Sequence, residues 1–212
     1  MSDLLTEITR AVMEGKFEWT ATLTEKALRE GLSAKEILDK GLMPGMDCVG
    51  EAFQRAEIFV PEVLLSARAM QAAMDVLKPQ LAESGAKMIG KLVIGTVQGD
   101  IHDIGKNLVA MMIKGAGFEV FDLGNDVSPE VFVQAVREHK PDIVGMSALL
   151  TTTMRAMERT IRALKEAGLR DHVKILVGGA PVTSEFAEQI GADAYCSDAV
   201  VARETARRFV SA

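Results

Sequence analysis

The chain is predicted to be an α/β protein in two parts. A bundle of four or five helices spans residues 1–85, and a doubly wound parallel five-stranded sheet spans residues 90–212. Three observations predict this. The first 85 residues place their apolar side chains at helical spacing and show no strand signal. A short polar stretch, Glu83-Ser84-Gly85-Ala86-Lys87, marks a change of hydrophobic period. Beyond Gly90, five short apolar runs alternate with five helical patterns, which implies parallel βα units with right-handed crossovers.

In the first part, Asp3 is expected to cap a helix reaching Gly15, with Leu4, Leu5, Ile8, Val12 and Met13 on one face. A second helix is expected from Phe17 to Glu30, stopped by Gly31. Ser33 followed by Glu36 is a capping-box pattern that opens a short third helix ending near Gly41. A fourth is expected from Pro44 to Ala56. The last runs from Val60 through Ala82, with Pro61 in its first turn, where a missing N–H costs nothing. In the second part, strands are expected at about 91–96, 118–123, 142–147, 173–178 and 193–196. Helices are expected at about 104–116, 128–139, 153–168, 182–190 and 198–210. Ser128-Pro129-Glu130 reads as a helix start, and Gly115, Gly117, Gly168 and Gly191 fall where helices end. The plan is flavodoxin-like, or Rossmann-like in the broad sense, so ligands belong at the carboxyl ends of the strands.

Composition narrows the function. A net charge of −6 argues against a nucleic-acid or anionic-membrane surface, which needs clustered Lys and Arg. No secretory signal and no membrane span is visible, so a cytoplasmic location is expected. Cys48 and Cys196 are far apart and are expected to be buried, reduced thiols. Met46, Met70, Met74, Met111 and Met112 fall at apolar helical positions and are expected to fill the core.

The informative stretch runs from Gly95 to Asn107, between the first strand and its helix. It lacks a Gly-x-Gly-x-x-Gly or a P-loop pattern, which argues against a dinucleotide or nucleoside triphosphate. It holds His102, one of three histidines; the others, His139 and His172, are expected to be exposed or capping, and the wide separation of the three argues against zinc. In an extended loop, residues two apart point the same way, so Asp100 can accept a hydrogen bond from the His102 ring. That bond would fix the tautomer and leave the other ring nitrogen for a metal. Spacing alone equally allows a capping aspartate and a solvated histidine. Gly105 removes a side chain where a large flat ligand would press on the backbone. The loops after the third and fourth strands add hydroxyls at Ser147, Thr151, Thr152 and Thr153, and a glycine pair, Gly178-Gly179.

Asp100-x-His102-x-x-Gly105, Ser147-x-Leu149 and Gly178-Gly179, in this order and spacing, resemble the signature of cobalamin-binding domains. Val49-Gly50-Glu51-x-Phe53, Phe59-Val60-Pro61-Glu62 and Ser66-Ala67-Arg68-Ala69-Met70 resemble the helical cap of methyl-carrying cobalamin proteins. The resemblance covers nearly the whole chain. In layout the chain is similar to the stand-alone corrinoid proteins of anaerobic methyltransferase systems and to the corrinoid module of methionine synthase.

The resemblance implies a cobalamin bound base-off, with His102 as lower cobalt ligand and Asp100 holding the imidazole. It implies Thr153 as the third member of a His–Asp–hydroxyl relay in which the family usually has Ser. It implies cofactor contacts from Gln98, Gly99, Ile101, Asp103, Ile104 and Gly105 around the histidine. The nucleotide tail would run past Ser147, Leu149, Thr151, Gly178, Gly179 and Ala199, and Phe53 and Val60 would shield the upper, methyl-bearing face. The implied function is a methyl carrier, itself not catalytic, between a substrate:corrinoid methyltransferase and a methylcorrinoid:acceptor methyltransferase, with a reductive activator as third partner. A cobalamin-dependent sensor without catalysis is the alternative. Its light-sensing cap favours Trp where Phe53 stands, and a DNA-binding segment has no basic patch here. A mutase small subunit would not need the bundle, and a flavodoxin-like electron carrier needs a hydroxyl-rich loop that Val97-Gln98-Gly99 does not supply.

Overall fold

The computed structural model describes residues 2–83 and 88–211. Among these, the chain forms two compact units, one of residues up to Met88 with Gly115–Gly117, the other of Ile89–Lys114 with Phe118 onward. The expected linker lies, beyond Glu83, outside the described residues.

The first unit is helical: α1 (Ser2–Met13), α2 (Phe17–Arg29), α3 (Ala34–Ile37), a π-helical turn (Leu38–Leu42), α4 (Met43–Gln54) and α5 (Val60–Glu83). α1 packs on α2 and α4, and α2 on α5. Ile8, Leu23, Ile37, Leu42, Met46, Met70 and Leu77 are fully buried between them. Asp3 lies within the first turn of α1 rather than ahead of it, where it complements the helix dipole. Ser33 caps α3 as expected, its hydroxyl accepting the Glu36 N–H at 3.1 Å; the Glu36 carboxylate turns to Lys40 instead of back to the cap.

The expected stop at Gly41 does not occur. The π turn carries the chain through it directly into α4. Gly41 serves close packing: a Cβ there would lie 3.2 Å from the Ile8 side chain, and the Thr9 hydroxyl donates to the Gly41 carbonyl at 2.8 Å. A single-turn π bulge of this kind lets one helix change face without ending.

The second unit contains β1 (Lys91–Thr96), α6 (Ile104–Gly115), β2 (Glu119–Asp122), α7 (Pro129–His139), β3 (Ile143–Ser147), α8 (Arg155–Glu166), β4 (Lys174–Gly178), α9 (Ser184–Ile190), β5 (Ala194–Cys196) and α10 (Ala199–Ser211). A 3-10 turn, Arg170–His172, precedes β4. All pairings are parallel, in the order β2-β1-β3-β4-β5. Val93, Val144, Ile175 and Val177 form one core cluster with Phe132 of α7, Ile161 and Leu164 of α8 and Ile190 of α9. The strand order reverses between β1 and β3, and doubly wound sheets bind ligands in the crevice at that switch point.

Three expectations about single residues need correction. His139 is neither exposed nor a cap; its ring stacks on Phe121 at 3.9 Å, which shields both. Met111 is 37% exposed, because its position on α6 faces a groove lined also by Asn107, Ala110, Lys114, Val120 and Asp122. Cys48 is only half-buried, whereas Cys196 is buried and burial pushes its thiol pKa up to about 11; both are free thiols. His172 is exposed, as expected.

Candidate functional site

The loop between β1 and α6 turns at Gly99, whose φ of +87° suits only glycine without strain. It then places Asp100 inside the protein and His102 at its surface. The Asp100 side chain is fully buried, and the His102 side chain keeps 47% of its exposure. His102 Nδ1 lies 2.8 Å from Asp100 Oδ1, and the His102 backbone N–H donates to the same oxygen at 3.0 Å. A carboxylate only accepts, so Nδ1 carries the proton and Nε2 is the nitrogen with a free lone pair.

The other carboxylate oxygen is held from the loop after β3. The Leu149 N–H donates to Asp100 Oδ2 at 2.7 Å, the Leu150 N–H at 3.2 Å and the Thr153 hydroxyl at 2.7 Å. Thr153 is buried, and its hydroxyl has a second acceptor in the Leu150 carbonyl at 2.8 Å. These turns delay α8, which begins at Arg155 rather than at 153. Burial alone would raise the Asp100 pKa. The hydrogen bonds from Thr153, the His102 and Leu149 backbones and the His102 ring outweigh it and hold the carboxyl well below the usual range. Asp100 is therefore a buried anion, fixed from two loops. The backbone donors of Leu149 and Leu150 have no sequence signature, because every residue but proline has such an N–H.

Four large apolar side chains of the two loops are exposed. Ile101 and Ile104 are 71% and 78% exposed, and Leu149 and Leu150 are each 43% exposed. Gly105 stands in the first turn of α6, and a Cβ there would meet nothing within 4 Å. Nothing in the protein's own packing requires glycine at this point, which is what an outside surface pressing on the backbone would leave. Asp103 is half-buried, and Gln98 is exposed with Arg159 Nη2 at 3.5 Å from its Oε1. One imidazole offers a metal a single ligand, so a metal at Nε2 must bring the rest of its ligand set with it. A flat, largely apolar macrocycle that carries its own cobalt fits this donor set and this rim.

The remaining expected residues fall as follows. Ser147 ends β3 and pairs with Thr96 of β1; Thr151 is exposed in the following turns. Gly178 and Gly179 end β4. A Cβ on Gly178 would lie 2.8 Å from the Cys196 carbonyl, and one on Gly179 only 1.9 Å from the Ala148 carbonyl. The close approach these glycines permit is that of the chain's own neighbouring backbone. Ala199 is buried as the first residue of α10, behind Asp198, whose carboxylate accepts the Val200 and Val201 N–H groups at 2.9 Å. Phe53, in the last turn of α4, and Val60, the first residue of α5, belong to the helical unit. Both are half-buried, unlike Met46 and Val49 of the bundle core.

Comparison with known proteins identifies the family. Family models described as B12 binding domains match residues 90–209 and 4–78. A trimethylamine corrinoid protein of Methanosarcina acetivorans is 45% identical over 91% of this chain and 90% of its own length. A dimethylamine corrinoid protein of Methanosarcina barkeri is 44% identical over 99% and 98%. The crystal structure of the methanol:cobalamin methyltransferase complex MtaBC from Methanosarcina barkeri superposes with a TM-score of 0.88 at 32% identity, covering 99% of this chain and 80% of that one. Among the described residues, no helix is long and apolar enough to cross a membrane. The chain belongs to the family of B12-binding corrinoid proteins.

Proposed function

We propose that this chain is a methyl carrier that holds cobalamin base-off, with His102 Nε2 as the lower cobalt ligand. One observation carries the reading. The His102 ring is locked through Nδ1 onto a buried carboxylate, while its side chain stays half-exposed on a loop that also exposes Ile101 and Ile104. When bound, the cofactor supplies a cobalt centre that accepts a methyl group from one partner and yields it to another.

The chain's own residues do the rest. Asp100 fixes the tautomer of His102, and Thr153 with the Leu149 and Leu150 N–H groups fixes Asp100. Ile101, Ile104 and Gly105 offer the corrin a flat apolar seat, joined by Gln98, Gly99 and Asp103. Ser147, Leu149, Thr151, Gly178, Gly179 and Ala199 line the ends of β3, β4 and α10, toward which the displaced nucleotide tail runs. By the resemblance, Phe53 and Val60 would be the residues that shield the upper face of a bound cofactor. The partners are a substrate:corrinoid methyltransferase, a methylcorrinoid:acceptor methyltransferase and a reductive activator. The similar proteins named for tri- and dimethylamine favour a methylated amine as methyl source. The setting is cytoplasmic, consistent with two free thiols.

The test is anaerobic reconstitution with cobalamin in wild type and His102→Ala. The wild type should show an axial nitrogen that the variant lacks, and methylcobalamin bound to the wild type should lose its methyl group to an acceptor methyltransferase. A chain that takes up no cobalamin, or a variant with an unchanged axial ligand, rules the reading out.

A further inference from the structure

Two carboxylates around the end of β2 hold the two ends of the segment that carries His102. Downstream, Lys106 in the first turn of α6 has a side chain only 2% exposed, and its Nζ donates to the Asp122 oxygens at 2.5 and 2.6 Å. Upstream, Asp126 Oδ1 accepts the Gly99 N–H at 2.7 Å, and the Asp126 N–H donates to the Asp100 carbonyl at 2.9 Å. Between the two anchors, the Thr96 hydroxyl donates to the His102 carbonyl at 3.2 Å.

The upstream anchor is not explained by folding needs. Gly99 and Asp126 are both exposed, so water would satisfy the Gly99 N–H equally well. Asp126 caps no helix, since Ser128 is the residue ahead of α7. It also holds a left-handed conformation, φ +52°, which aspartate tolerates better than most residues. The bond therefore spends conformational freedom at a place where burial does not demand it. What it determines is the position of the Gly99–Asp100 backbone, from which the Asp100 carboxylate reaches the His102 ring.

We propose that Asp126 is a positioning residue for His102, setting through Gly99 how strongly the ring engages the cobalt. The proposal rests on the reading of His102 as lower ligand. Asp126 bonds the Gly99 N–H and the Asp100 carbonyl rather than the ring, and acts by fixing the loop upstream of the histidine.

The test uses the full chain loaded with cobalamin, in wild type, Asp126→Gly, Asp126→Asn and His102→Ala. Glycine keeps the left-handed backbone and removes the acceptor, whereas asparagine keeps both. The readouts are the axial-nitrogen splitting in the paramagnetic Co(II) spectrum and the Co(II)/Co(I) midpoint potential, which reports axial strength because four-coordinate Co(I) has no lower ligand. Asp126→Gly should weaken the axial bond about tenfold, the size of one such hydrogen bond. For a one-electron couple this raises the midpoint by about 59 mV. Asp126→Asn should match wild type, and both should melt near the wild-type temperature.

A Gly variant with wild-type potential, beside a shifted His102→Ala, overturns the positioning role and leaves the lower ligand intact. An Asn variant shifted as far as Gly overturns it as well, because the acceptor is then not the cause. A Gly variant that fails to fold does the same, because Asp126 would then hold the fold rather than the ring. An unshifted His102→Ala removes the lower-ligand reading and this proposal together.

Discussion

Asp100 is wholly buried and receives hydrogen bonds from its own loop and from the loop after β3. His102, two residues on, keeps 47% of its side chain exposed among exposed isoleucines and leucines. The same contrast separates two sets of glycines. Gly178 and Gly179 are required by carbonyls of the chain itself, while Gly105 faces open space. The floor of the site is packed within the protein, and its surface is left open. Substitutions in the floor should therefore be read in stability, and substitutions on the surface in binding.

The largest effect should come from the floor. Gly179→Ala combines a φ of +126° with a Cβ at 1.9 Å from a carbonyl oxygen, so it should lower stability by about 4 kcal/mol, measured by thermal unfolding of the apoprotein. Asp100→Ala leaves the Leu149 N–H without its acceptor and the Thr153 hydroxyl with only the Leu150 carbonyl, and should cost about 3 kcal/mol in the same measurement. Gly105→Ala should keep the apoprotein stability within about 0.5 kcal/mol, because the added Cβ meets nothing, yet lower cobalamin affinity about tenfold. Equal stability losses at Gly105 and Gly179 would break the comparison.

The smallest effect is in pH. The folded pKa of Asp100 is depressed, so its contribution to stability is complete above the unfolded carboxyl value of about 3.9 and is lost as the pH falls below it. The melting-temperature gap between wild type and Asp100→Asn should hold from neutral pH to about pH 5 and narrow below about pH 4. A gap that widens on acidification would show that Asp100 is not a buried anion.

Much of this was legible before any coordinates. The spacing of Asp100 and His102 allows their bond but equally allows a solvated histidine, whereas the five strands follow from short β-branched runs. Thr153 was reachable only through resemblance, since it lies 53 residues from Asp100. The Leu149 and Leu150 donors were not reachable, because main-chain groups leave no mark in a sequence. The stop misread at Gly41 has the same origin: a glycine that ends a helix and one that lets another helix come close are the same letter.

By itself, then, the sequence determined the order of elements and the sheet class, and allowed an aspartate beside the histidine, all of which depend on neighbours a few residues apart. Only the tertiary structure decided which way Asp100 and His102 face, what satisfies the buried carboxylate, that Asp126 and Asp122 anchor the loop, and which glycines serve the fold. Those depend on backbone brought together from different strands, where distance in space is unrelated to distance along the chain.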